Sequence, residues 1–300
     1  MRRLVIAALL LLASGPVAAH GGEHAPAAAS RWTLDPILTV PLALTLLVYL
    51  TGFRRLWRRS DKGRSSRRRE AILFSAGWLV LALALTSPLH AGGERSFTLH
   101  MIEHELIMLV ATLLLATSGA GGTMLWGLPA AVRNPLASFA RRGAVGAIWR
   151  VSTGPIFATV LQALALWLWH MPPLFERALD SFGWHVAQHA SFIASSLLFW
   201  WAMVHSRGQR ALLGISALCL FFTSLVGGAL GALMALSDSP WYAPYAAMGV
   251  SGIGLDPVTD QRLAGLVMWI PGGLVHAAAA LYFFYRWLNA AGRQSGLAAR

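Results

Sequence analysis

The chain has 300 residues, 56% of them hydrophobic and only 12% charged, with a formal net charge of +12. Soluble domains carry about 25% charged residues, so this composition excludes an ordinary soluble domain and indicates a polytopic membrane protein. The basic residues lie between apolar runs, where membrane topology places them, so the positive balance is not read as a nucleic-acid surface. The one cysteine, Cys219, lies inside an apolar run. That rules out an intrachain disulfide, a paired-thiol metal site and a CxxCH haem attachment, leaving His, Met and carboxylate for any metal chemistry.

The chain opens as a secretory signal peptide over residues 1–19, with Arg2 and Arg3 before an apolar core and Val17-Ala18-Ala19 before a cleavage point. Residues 20–36 read as an extracytoplasmic tail. A seven-helix transmembrane domain over 37–287 and a cytoplasmic tail over 288–300 complete the expected organisation. The fold class is all-α. Its spans are expected near Ile37–Phe53, Ala71–Thr86, Leu99–Ala116, Pro155–His170, His185–His205, Leu212–Leu236 and Leu263–Tyr285, each close to or above the ~17–25 residues a helix needs to cross.

Alternate loops differ sharply in charge. Nine basic residues lie between Arg54 and Arg69, and Arg133, Arg141, Arg142, Arg150, Arg207, Arg210, Arg286, Arg293 and Arg300 fall on the same side. The opposite side holds Arg31, Arg95, Arg177 and Arg262. The positive-inside rule then sets the N-terminus outside and the C-terminus in the cytoplasm of a bacterial inner membrane, with the lipid bilayer as the protein's solvent.

Two histidine pairs, His100/His104 and His185/His189, are each spaced i, i+4, which stacks two imidazoles on one helix face. On the expected topology both pairs enter the membrane from the outer surface, and His90 and His170 end spans on that side. Six of the ten histidines then gather at one membrane face. His276 lies deeper, as a lower ligand or a packing residue. One further turn beyond His104 gives Met108, so His100, His104 and Met108 are expected to form one stripe.

Histidine at membrane depth is costly and marks a functional site. Imidazole with thioether suits copper, above all Cu(I), whereas haem held between two histidines and zinc are the alternatives. Glu103 flanks the histidine face as a second-shell orienter of an imidazole, and Asp260 is a second-shell residue or a helix cap. Glu105 points to a different side. His104-Glu105 begins an H-E-x-x-H zinc signature but Met108 occupies the fifth position, so the zincin pattern is absent. His20 and His24 belong to a tail that would hold copper only with a free amine at His20. The segment Pro240-Trp241-Tyr242-Ala243-Pro244-Tyr245 is expected as interfacial anchors, with length enough for a lid.

These residues resemble a known family. His100-Met101-Ile102-Glu103-His104, then Trp167-Leu168-Trp169-His170-Met171-Pro172, then His185-Val186-Ala187-Gln188-His189 with Phe199-Trp200-Trp201, then Asp260-Gln261-Arg262-Leu263-Ala264-Gly265 with Met268-Trp269 are similar to the membrane-integral cytochrome c oxidase assembly factors of the CtaG type. The likeness runs from about Ile37 to Trp287, and one departure is Glu103, where glutamine is expected. It implies a non-catalytic seven-helix protein of the bacterial cell membrane that matures haem–copper oxidase at its catalytic subunit. The expected role is to receive copper on His100, His104, His185, His189, His170, Met108, His90 and His276 and pass it on. A seven-helix, zinc-dependent membrane hydrolase is the alternative from another class.

Overall fold

The computed structural model describes residues 32–59, 63–139, 143–205 and 210–298, and every regular element among them is helical. In chain order these are α1 (Pro36–Arg59), α2 (Arg64–Thr86), α3 (Pro88–Gly93) and α4 (Phe97–Glu105). A π-helical segment (Leu106–Ala111) leads into α5 (Thr112–Ser118), followed by α6 (Gly121–Gly127), α7 (Ala130–Phe139) and α8 (Gly143–Ser152). The remainder is α9 (Pro155–His170), α10 (Pro172–Asp180), α11 (Phe182–His205), α12 (Arg210–Ala235), α13 (Ala243–Ala247) and α14 (Pro257–Ala298). The expected signal peptide, and His20 and His24 after it, lie outside the described residues.

Five of these stretches are both long and apolar enough to cross a membrane: Pro36–Arg59, Arg64–Thr86, Phe97–Ser118, Leu212–Ala235 and Pro257–Ala290. A sixth is reached if Val145–Ser152 and Pro155–His170, bent by 71° at their junction, count as one broken span. The expected fifth span, α11, has 24 residues and so meets the length. It falls short on hydropathy because His185, Gln188, His189, Ser191, Ser195 and Ser196 share one helix.

The short helices start where the sequence supplies caps. Ser87 accepts the Leu89 amide ahead of Pro88, and Ser96, in extended backbone, accepts the Leu99 amide at the start of α4. At the other end of the bundle, Arg55 Nη1 donates to the carbonyls of Trp126, Gly127 and Leu128 at 2.7, 3.2 and 3.0 Å. A cation thus meets carbonyls that the end of α6 leaves without helical partners.

Small residues set the closest helix contacts. A β-carbon on Gly52 would strike the Thr123 carbonyl, and one on Gly127 the Val48 carbonyl, so α1 and α6 meet backbone to backbone. Gly231 and Gly265 do the same for α12 and α14, which pack along much of their lengths.

The π segment matters most for the site. It adds a residue to one helical turn and so rotates α5 and the later part of the segment relative to α4. Trp200 Nε1 donates to the Met108 carbonyl at 3.0 Å inside this segment, and Thr112 Oγ1 donates to the same carbonyl at 2.6 Å. Both bonds satisfy a backbone acceptor that the irregular turn displaces.

Candidate metal centre

Six histidines from four elements meet at one end of the bundle: His90 from α3, His100 and His104 from α4, His170 from α9, and His185 and His189 from α11. Ring centroids lie 4.3 Å apart for His100/His104 and 4.5 Å for His185/His189. The i, i+4 spacing dictates these within-helix distances. Across helices, His100 reaches His185 at 5.9 Å, His104 reaches His189 at 5.3 Å, and His90 reaches His185 at 5.2 Å. His170 stands 6.4 Å from His104. In His90, His185 and His189 one ligand atom apiece falls within 4.8 Å of the others, close enough to share an ion.

Glu103 lies among these rings, with no exposed surface. Its Oε1 is 2.7 Å from His90 Nδ1 and 3.7 Å from His189 Nε2. Burial works against a charge on His90, but the hydrogen bond and charge of Glu103, with Glu94 further off, outweigh it and raise this imidazole above its ordinary 6.5.

Hydrogen bonds select two tautomers. His170 Nδ1 donates to the Leu166 carbonyl at 2.7 Å, which leaves Nε2 with its lone pair. Tyr245 donates its hydroxyl hydrogen to the Gly93 carbonyl at 2.6 Å, so its oxygen receives the weaker 3.4 Å contact from His100 Nδ1. Burial, then Asp260 and Glu103, hold the Tyr245 phenol well above its usual range, which keeps it a donor. The nitrogens left over are His100 Nε2, His104 Nδ1 and Nε2, His170 Nε2, His185 Nε2 and His189 Nε2, all buried without a hydrogen-bond partner. Leaving a buried polar atom unpaired costs ~1–3 kcal/mol. Six such atoms in one cluster are many for a buried site, and of these rings His185 and His189, with His90, bring ligand atoms close enough to share an ion.

Asp260 occupies a different place from a second-shell ligand residue. Its Oδ2 accepts the Phe97 amide at 2.7 Å, and its Oδ1 accepts the Thr98 amide at 3.2 Å and the Ser96 hydroxyl at 3.0 Å. It is an N-cap supplied by α14 to α4, positioning the helix that carries His100, Glu103 and His104.

Met108 and His276, expected as ligands here, stand apart from the six rings. Met108 belongs to an apolar cluster with Leu42, Leu81, Leu85 and Phe192. His276 is held by α14, with Nδ1 donating to the Gly272 carbonyl at 2.7 Å and its ring stacked 5.3 Å from Trp200. Both line a separate cavity deeper in the bundle.

The aromatic segment, expected as interfacial anchors, is instead buried at Tyr242 and Tyr245, which are 1% and 6% exposed. Tyr242 donates to the His170 carbonyl at 2.9 Å and stacks on Phe175, which lies 5.0 Å from His100. Sequence reasoning also passes over Gln188. It is fully buried beside His189, and neither amide atom has a protein partner. Its spacing of three from His185, on the same helix face, is the signal that could have found it.

Comparison with known proteins places this geometry in context. The family model for the cytochrome c oxidase caa3 assembly factor (Caa3_CtaG) matches residues 47–290. The uncharacterized protein Mb0105 of Mycobacterium bovis and the uncharacterized protein MT0111 of Mycobacterium tuberculosis are each 25% identical to the chain over 248 residues. The match covers 79% of this chain and 36% of each relative, so the chain spans about a third of the length of those proteins. No solved structure matches.

Proposed function

Because this chain belongs to the caa3-type CtaG family of cytochrome c oxidase assembly factors, we propose that it binds copper at the six-histidine cluster and hands it to the catalytic subunit of a haem–copper oxidase. The observation that carries this reading is the set of buried, unpartnered imidazole nitrogens around one carboxylate. Neutral imidazoles with a single anion suit a soft, monovalent cargo. One positive charge meets one negative charge, and the pair enters a low-dielectric interior without net charge.

The membrane arrangement belongs to the same proposal. The chain crosses the bacterial inner membrane seven times, with α11 and the broken α8–α9 pair included. Its N-terminus is outside behind a cleaved signal peptide, and its C-terminus is cytoplasmic. The alternating distribution of arginine supports this orientation, and it opens the histidine end of the bundle to the outer face. The low hydropathy of α11 does not argue against a span, since its polar side chains at Gln188, His189, Ser195 and Ser196 are buried within the bundle.

Transfer needs ligands that exchange. Imidazoles from α3, α4, α9 and α11 can be released one at a time, unlike a closed thiolate cage. Tyr242, Tyr245 and Phe175 close the cluster over and keep water from competing.

The test is metal analysis with an absorption spectrum on purified full-length protein, wild type beside His104→Ala/His189→Ala. Wild type is expected to carry more copper than the double variant, without a Soret band. A cell deleted for the gene is expected to make oxidase deficient in copper. Equal copper in the two proteins, or full copper in the oxidase of the deleted strain, overturns the proposal.

A further inference from the structure

The cavity that takes in Met108 and His276 lies one turn deeper than the histidine cluster, between α4, the π segment, α9, α12 and α14. Its volume is about 50 Å³. At ~10–15 Å³ per water, that is room for a few waters or one ion. Four side chains bring donor atoms to its wall: Glu105, Met108, Met268 and His276.

The other polar groups of the wall are already committed. Gln162 and Ser196 bond each other at 3.0 and 3.2 Å, Thr223 Oγ1 donates to the Cys219 carbonyl, and Ser224 Oγ to the Gly273 carbonyl. His276 spends Nδ1–H on the Gly272 carbonyl, so the lone pair of Nε2 is free. Glu105 has no hydrogen-bond or ion-pair partner among the described residues.

Gly272 links the two. A β-carbon there would stand 3.4 Å from Glu105 Oε2, and the Gly272 carbonyl is the acceptor that fixes His276. Carboxylate and imidazole therefore flank one residue of α14, on the side facing the cavity.

We propose that Glu105, Met108, Met268 and His276 form a second cation site, distinct from the histidine cluster and taking a single Cu(I). A carboxyl group inside a membrane protein is held either by a proton or by a cation that balances its charge, and when a cation takes the place of the proton the adjoining donors choose which one. Two thioethers and an imidazole are soft ligands that select Cu(I) over zinc, magnesium or calcium. Glu103 and Glu105 are two positions apart on α4 and so face away from each other. One helix thus supplies one anion to each site. The second site rests on its own ligand set and does not require the first to be filled.

Sulfur distinguishes the two sites, since the six-ring cluster is built of imidazole. Full-length protein in lipid nanodiscs is titrated anaerobically with Cu(I) against a competing chelator, and its copper-edge X-ray absorption is recorded. Wild type is expected to bind two equivalents and to show sulfur scattering. Met108→Leu/Met268→Leu conserves volume and is expected to bind one equivalent and to lose the sulfur shell. Glu105→Gln is expected to weaken one equivalent at least tenfold. His104→Ala/His189→Ala is expected to keep the sulfur-bound equivalent.

One equivalent with nitrogen scattering alone overturns the second site and leaves the histidine cluster standing. One equivalent with sulfur does the reverse. Sulfur scattering that survives in the double methionine variant also overturns the assignment. If that variant fails to fold, the wild-type stoichiometry and spectrum decide the matter alone.

Discussion

Asp260 Oδ2 accepts the amide of Phe97 at 2.7 Å across 163 residues of sequence, so the last helix of the chain holds the start of the helix that carries His100 and His104. The bond belongs to a set: the Thr98 amide, the Ser96 hydroxyl and, through the Asp260 carbonyl, the Thr98 hydroxyl all converge on this one residue. The angle at which α4 presents its imidazoles therefore depends on α14.

Asp260→Ala is expected to cost ~1–2 kcal/mol of stability, the usual worth of an N-cap, with more lost from the orphaned buried donors. Thermal unfolding followed in detergent should show the fall, and copper retention at the cluster should drop with it. An unchanged melting temperature would remove Asp260 from its positioning role.

Tyr245→Phe removes one hydroxyl and leaves the Gly93 carbonyl without its donor and His100 Nδ1 without its acceptor. The expected loss is ~1 kcal/mol in stability, the net worth of a buried hydrogen bond. Competition titration should show weaker copper binding as well, because His100 loses the contact that sets its tautomer. Full affinity in the variant would count against that orienting role.

The His90–Glu103 pair gives the metal-free protein a pH dependence with a definite sign. His90 is raised above 6.5 in the folded chain, so its contribution is fully present below about that pH. It is lost as pH rises through the raised value. The stabilisation of metal-free wild type over Glu103→Gln should therefore be greatest at mildly acidic pH and shrink on the alkaline side, read as the difference between their melting temperatures at each pH. A difference that does not change with pH would dissociate His90 from it.

Gly127→Ala is expected to destabilise by ~1–3 kcal/mol, the range for overpacking. The added carbon meets the Val48 carbonyl, which belongs to a backbone and cannot swing aside as a side chain would. Gly121→Ala, at the start of the same helix, meets nothing closer than the Trp201 ring at 3.9 Å and serves as the control. Equal melting temperatures for the two variants would show that α1 and α6 yield.

Much of the histidine cluster is legible in the sequence. The i, i+4 pairs announce themselves, and the alternation of arginine-rich loops brings His90 and His170 to the same end as His100 and His185. The hidden features are nonlocal or irregular. Nothing in Leu106–Ala111 marks a π-helical turn, so regular spacing misses the bearing it sets for Thr112 and α5 against His104. Asp260 is legible as a cap or second-shell residue, but its recipient lies more than 160 residues distant, beyond any pattern along the chain. Tyr242 and Tyr245 have the composition of interfacial anchors, and only packing against Phe97 and Phe175 reveals them as part of the closed cluster. The polar residues of α11, His185, Gln188 and His189 among them, depress the very hydropathy that identifies a span.

The π segment has a consequence for how this chain can change. An α-helix of uniform pitch locks every residue to a fixed bearing, so altering one end of it alters the other. The irregular turn at 106–111 acts as a joint between two independently set compass directions, one for His100 and His104, another for Thr112 and Ala116. Removing a single residue from it would restore the regular pitch and swing Thr112, Ala116 and the rest of α5 about a quarter turn around the helix axis, off the surfaces of α2 and α11 on which they now pack.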